Sequence, residues 1–228
     1  MQRKVIHGTG LFALLILFSA PAMSSIIFGE NKIYFSGKNE FADVRVRNAG
    51  SESYLLASRM MSEETRYNRT RDGQEKSFIV TPPAVSLKGG GERILRITKS
   101  DTTHLPVTRE SMHFLSVTSI PEGKASENSV QIAVRTWIRV IYRPEGLDAN
   151  KKMKFEFQKS NGEAVINNMS PFYLFISQLE MNKIKIEEPR IIPPYKKISI
   201  GKCESKCEVT YSFYKEDGST GQAEKVAL

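Results

Sequence analysis

An all-β chain built as two sandwich-type domains is what the sequence predicts, and three observations lead there. Apolar and polar residues alternate with the two-residue period of strands, with no convincing amphipathic helix among them. Turn residues break those runs at intervals typical of a β-sandwich. About 200 residues follow an N-terminal export segment, more than one small core normally holds, which favours two domains of about 100 residues each.

The export segment comes first. Arg3 and Lys4 precede the apolar run Leu11 to Phe18, and Ala22-Met23-Ser24 supplies small residues at a cleavage site, so residues 1–24 read as a signal peptide and the mature chain begins near Ser25. The run is far short of the roughly 20 residues of a membrane-spanning helix. No later segment replaces it, so an exported protein without membrane insertion is expected.

The first clear strands are Lys32 to Phe35 and Phe41 to Arg47, the latter interleaving Phe41, Val44 and Val46 with charged residues before Asn48-Ala49-Gly50 turns the chain. Tyr54 to Met60 follows. A strand through Phe78-Ile79-Val80 ends at Thr81-Pro82-Pro83, because proline brings no N–H to a ladder. Gly89-Gly90-Gly91 reads as a turn before Arg93 to Thr98; no helix and no Lys-Ser/Thr pair follow, as a phosphate loop requires. Two strands then run close together, Ser111 to Ile120 and the long Ser129 to Tyr142, joined by the polar loop Pro121 to Asn128. In the long strand Val130, Ile132 and Val134 share one face, opposite Gln131, Ala133 and Arg135.

A first domain over 25–146 and a second over 147–228 are expected, because Asp148-Ala149-Asn150-Lys151-Lys152 has the composition of a linker or exposed turn. Strands of the second domain are expected at Phe155 to Gln158, Ala164 to Asn167, Phe172 to Leu179, Lys183 to Ile186, Lys196 to Ile200 and Val209 to Tyr214, with Ser170-Pro171 and Ile192-Pro193-Pro194 as breakers. Little sequence remains after Gly218 for a final strand, so the second sandwich is expected to be truncated or less stable than the first.

Charge and chemistry narrow the function. The formal net charge is +8, of which Arg3 and Lys4 contribute two units, and the excess suits acidic partners or a carboxylate. Lys and Arg are spread through strand-like segments rather than gathered with aromatics, which argues against nucleic acid. No Gly-x-Ser-x-Gly or His-Glu-x-x-His spacing occurs, so no catalytic residue is nominated and an enzyme is not expected. Cys203 and Cys207, the only cysteines, read as a disulfide in an exported chain; three intervening residues exclude the redox Cys-x-x-Cys motif. His104 and His113 show no metal-site spacing, and neither metal nor cofactor is expected. Asn68-Arg69-Thr70 and Asn168-Met169-Ser170 match the glycosylation triplet incidentally, the second being followed by Pro171.

Several stretches in order carry a resemblance: Thr81-Pro82-Pro83, Leu105-Pro106 leading into Arg109-Glu110-Ser111, Ile120-Pro121, Gln131-Ile132-Ala133 with Tyr142-Arg143-Pro144, and Asn168-Met169-Ser170-Pro171-Phe172-Tyr173. Through them nearly all of the mature chain resembles the periplasmic pilus (fimbrial) chaperones of the PapD-like family. The resemblance implies two immunoglobulin-like β-sandwich domains at an angle, boomerang-like, acting in the periplasm without ATP. Such a chaperone lends a strand to a pilus subunit that lacks one, then delivers it to the outer-membrane usher. The donor strand falls on Ser129 to Arg135, with Val130, Ile132 and Val134 as groove-filling residues, although an ordinary sandwich strand would turn such a row inward.

The resemblance also implies a basic pair for the subunit's C-terminal carboxylate, and by position this is Lys32 and Arg139. Relatives carry Arg at the first position and Lys at the second, so the two charges are exchanged here. An ionic contact between the domains is implied at Glu110, Arg143 and Glu216, or Asp217 if the alignment shifts by one. The brief connection between Ile120 and Ser129 suggests the short-loop branch of the family. A free chaperone of this kind would hide Val130, Ile132 and Val134 if it capped itself as a dimer. The alternative reading is a secreted immunoglobulin-like adhesive or binding module.

Overall fold

The computed structural model describes residues 25–63, 75–123, 130–147 and 153–228. The signal segment, Asn68-Arg69-Thr70, most of the polar loop, Ser129 and the linker residues 148–152 lie outside the described residues. Among the described residues the chain is all-β. The first half contains β1 (Ile26–Phe28), β2 (Lys32–Ser36), β3 (Phe41–Asn48), β4 (Tyr54–Ser62), β5 (Phe78–Thr81), β6 (Ala84–Leu87), β7 (Glu92–Lys99), β8 (Ser111–Pro121) and β9 (Val134–Arg143). The second contains β10 (Phe155–Ser160), β11 (Glu163–Asn168), β12 (Leu174–Met181), β13 (Ile184–Lys185), β14 (Ile191–Ile192), β15 (Lys197–Lys202), β16 (Glu208–Phe213) and β17 (Glu224–Ala227).

In the first sandwich a sheet ordered β1-β3-β7-β5 faces one ordered β2-β9-β8-β4-β6. Alternation fills the space between: Val44 and Val46 of β3, Leu95 and Ile97 of β7, and Phe35, Leu115, Val117 and Val140 opposite form one buried core. The chain changes sheets between β5 and β6 at Pro82-Pro83, whose carbonyls accept from the Ser58 hydroxyl and Ser58 N–H, both at 2.7 Å. At the turn before β7, a Cβ on Gly89 would lie 2.2 Å from the Ser51 carbonyl oxygen, so no side chain fits there. Asn48 closes the same corner, donating to the Glu52 and Leu87 carbonyls and accepting from Gly50 N–H.

The second sandwich pairs β10-β11-β15 against β13-β12-β16-β17, with β14 joined to β12. Its core gathers Ala164, Ile166, Leu174, Leu179, Ile200 and Val209 with Cys203 and Cys207, which are joined by a disulfide. Asn168, fully buried, is its counterpart of Asn48. Its amide donates to the carbonyls of Phe172 (2.7 Å), Ile192 (3.2 Å) and Pro193 (3.0 Å), while its oxygen accepts from Ser170 N–H and hydroxyl. Those bonds give Asn168 and Ser170 a structural role at this corner.

Several expectations are corrected. The chain after Gly218 does supply a final strand: β17 pairs with β16, and Leu228 exchanges backbone bonds with Cys207. Its single half-buried apolar residue, Val226, among exposed neighbours gives too little alternation to be read as a strand. Ile191–Ile192 is a short strand, β14, ended by the prolines taken as its breaker. Phe41 faces outward, unlike Val44 and Val46, because it is an odd number of residues from both; the Arg96 guanidinium covers its ring at 3.9 Å. The long strand begins at Val134, not Ser129. The β8 ladder ends at Ser119 opposite Val134, so among the described residues no strand pairs with Val130 to Ala133.

Candidate functional site

The two sandwiches meet over the outer face of β2, β9 and β8. In β8 every residue from Met112 to Val117 is buried, because odd positions enter the first core while Met112 and Phe114 turn toward the second sandwich. There they join Met61 and Ile141 against Tyr173 and Phe175, with Tyr34, Trp137 and Ile191 at the edge.

β2 runs parallel to β9, which sets Lys32 opposite Arg139, Tyr34 opposite Ile141, and Ser36 opposite Arg143. Ile33 and Phe35 point into the core, so Lys32 and Tyr34 face the junction. The Lys32 ammonium lies 4.9 Å from the centroid of the Tyr34 ring and 4.4 Å from that of Phe175. It also donates to the Lys215 carbonyl at 3.4 Å. Burial holds this ammonium below its ordinary pKa; Glu216 offsets the effect and Arg139 reinforces it. Beside it, the Arg139 Nε–H is buried and, among the described residues, has no hydrogen-bond acceptor. An orphaned donor on a permanent cation is costly and is relieved by an incoming anion.

Next to this pair, β9 offers an open edge. β2 covers only Arg139 to Arg143, so among the described residues no strand lies along the outer edge of Val134 to Thr136. Val130, Ile132 and Val134 are 88%, 70% and 56% exposed. The Gln131 amide donates to the Gly123 carbonyl at 2.7 Å, and Arg135 donates to the Thr118 hydroxyl. An apolar row on an unpaired backbone edge, ending in two cations, suits addition of an extended strand that carries a terminal carboxylate.

Glu110, Arg143 and Glu216 are brought together. Arg143 donates through Nε and Nη2 to one Glu110 oxygen at 2.9 and 2.7 Å, and through Nη2 to Glu216. The other Glu110 oxygen accepts from Tyr173 N–H at 2.8 Å, while Glu110 N–H donates to the Pro171 carbonyl. Burial pushes the Glu110 carboxyl above the usual range, against the pull of those bonds. Asp217 instead caps Ser219 through its backbone N–H and hydroxyl. The disulfide Cys203–Cys207 sits in the second core and takes no part in the junction.

Two groupings were not anticipated from sequence. One is the aromatic pair around Lys32. The other is a polar chain in the first sandwich, buried at its centre: half-buried Ser111 to His113 at 3.1 Å, His113 to Glu75 at 2.6 Å, Glu75 to the N–H of Ser77, and Ser77 to exposed His104. Only the parity of His113, which a core-facing strand position buries, hinted at it.

Residues 25–148 match the family model of the pili and flagellar-assembly chaperones, PapD N-terminal domain. The chain is 28% identical to the chaperone protein FocC of Escherichia coli over 198 residues, covering 83% of this chain and 84% of that protein. It is 24% identical to the uncharacterized fimbrial chaperone YcbF of Escherichia coli strain K12, over 91% of both. Among solved structures, the complex of the Salmonella enterica SafA pilin with the SafB chaperone matches with a TM-score of 0.76 at 16% identity, covering 92% of this chain and 99% of the matched one.

Proposed function

The chain belongs to the pili and flagellar-assembly chaperone family, and we propose that it binds pilus subunits in the periplasm by strand addition to β9 and hands them to an outer-membrane usher. It is a pilus chaperone, and its family is one of chaperones rather than enzymes. The observation that carries the binding mode is the exposed row Val130, Ile132 and Val134 on an open strand edge, ending at paired Lys32 and Arg139 with an unsatisfied Arg139 Nε–H. SafB is a relative in fold that holds a pilin.

In this reading a subunit lacking one strand accepts the segment around Val130 to Val134, which fills its apolar groove and supplies its missing ladder bonds. Fully burying each of the three side chains is worth roughly 1.5–3 kcal/mol. A carboxylate held between Lys32 and Arg139 fixes the register, and register matters because a one-residue slip turns every groove-filling side chain outward. Arg139 can present a planar fork while Lys32 acts as a point charge. Release proceeds by strand exchange at the usher, and a free chaperone can shield the same row in a self-capping dimer. The domain division near residue 146 completes the reading, supported by separate cores on either side; a short-loop assignment rests on the sequence between Ile120 and Ser129 alone.

The test is periplasmic co-expression with pilus subunits encoded in the same genome. Wild type should yield a soluble one-to-one complex; Lys32→Ala with Arg139→Ala should lose it while remaining folded. Equal recovery by both proteins would remove carboxylate anchoring. Capture of no subunit by wild type would favour an adhesive module instead.

A further inference from the structure

Lys32 begins β2, an edge strand, and its flexible four-carbon side chain has much rotamer freedom to lose. Its ammonium is nonetheless bracketed. The Tyr34 and Phe175 rings both lie well inside the roughly 6 Å range over which a cation is drawn to an aromatic face, whereas the contact to the Lys215 carbonyl is long for a charge-assisted hydrogen bond. The rings come from different sandwiches, Tyr34 from β2 and Phe175 from β12. Each is itself fixed: the Arg143 guanidinium lies 5.3 Å from the Tyr34 centroid, and Phe175 is buried with its ring 6.3 Å from that of Tyr173.

We propose that Tyr34 and Phe175 are positioning residues for the carboxylate anchor, a two-ring bracket that holds the Lys32 ammonium in register with Arg139 before a subunit arrives. The inference rests on the anchoring reading above and adds that the anchor is composite. Its cation belongs to the first sandwich, and one of the rings that aims it belongs to the second. Two rings attract the ammonium without accepting all of its N–H groups, so donors remain for a carboxylate. The Glu110–Arg143–Glu216 cluster reaches the anchor through the face of Tyr34.

The probe is a synthetic peptide of alternating threonine and valine, made with a free C-terminal carboxylate and as its C-terminal amide. Wild type should prefer the acid, and Phe175→Leu, which keeps an apolar side chain but loses the ring, should reduce the acid-to-amide preference about fivefold. Phe175→Tyr should retain the preference, and Phe175→Leu should change nothing further in a Lys32→Ala background. If wild type does not distinguish acid from amide, the anchoring reading falls and takes the bracket with it. If wild type distinguishes them and Phe175→Leu does so equally, or weakens both peptides alike, the bracket alone is wrong. A measurement without ligand decides independently: the Lys32 ε-methylene proton resonance should lie upfield from ring currents and move back in Phe175→Leu. A resonance at the ordinary lysine position in wild type overturns the bracket.

Discussion

Asn168 shows how much one side chain can organise. Its amide nitrogen serves three carbonyls, and its oxygen takes two donors from Ser170, all at a corner that is fully buried. Asn168→Ala leaves those carbonyls desolvated and unmatched, at about 1–3 kcal/mol for each group that stays unsatisfied. We expect a net loss of roughly 3 kcal/mol, because part of the corner can relax toward water. Urea unfolding monitored in the second sandwich would read this; a change below about 0.5 kcal/mol would show that the corner holds without the amide. At this scale the sequence was legible wherever a residue acts through its own strand. Lys32 and Arg139 could be placed by the family resemblance of the strands that carry them, and β2–β9 pairing puts them side by side. Tyr34 and Phe175 could not, since an aromatic residue in a strand looks the same whether it faces a core or brackets a cation from another sandwich.

Among the strands, β8 is anchored by a contact that no local pattern discloses. His113 and Glu75 are far apart in sequence, yet their side chains meet at 2.6 Å, both nearly inaccessible. Burial opposes ionisation of Glu75, but its bonds to His113 and Ser77 and the charge of His113 outweigh it and hold the carboxyl down to about 2. A carboxyl depressed on folding stabilises the native state above its unfolded pKa of about 4.3 and loses that contribution as pH falls toward about 2. Urea midpoints measured between pH 7 and pH 2.5 should therefore drop on acidification more steeply in wild type than in Glu75→Gln, which is already less stable at pH 7. Parallel slopes would show that the carboxyl is not depressed. The strands themselves were mostly legible because alternation survives in any half-buried sheet. β17 escaped for want of alternation, and residues 130–133 were read as strand because they alternate, although β9 begins only at Val134. Val130, Ile132 and Val134 keep the two-residue period of a strand while remaining exposed.

Across the whole molecule, apolar and ionic contacts both join the sandwiches, and their magnitudes differ. Arg143 bridges a carboxylate that is almost wholly buried, Glu110, to one that is half exposed, Glu216, with its own side chain largely covered. The exposed arm is worth about 0–1 kcal/mol, whereas stranding the buried carboxylate costs about 3–5 kcal/mol. Glu216→Ala should therefore leave both stability and solution scattering close to wild type. Arg143→Ala should do more than weaken the fold. Glu110 would retain only the Tyr173 N–H, its carboxyl would be pushed further above the usual range, and the Tyr34 ring would lose the guanidinium that lies against it. The junction would then be held by the apolar contacts among Met112, Phe114, Ile141, Tyr173 and Phe175, which resist separation but tolerate sliding. The expected outcome is a changed scattering profile at pH 7. Glu110→Gln in the same background should restore part of the stability by removing the stranded charge without restoring the angle. If Arg143→Ala scatters like wild type, the apolar face alone sets the angle, and the ionic cluster serves only to neutralise Glu110.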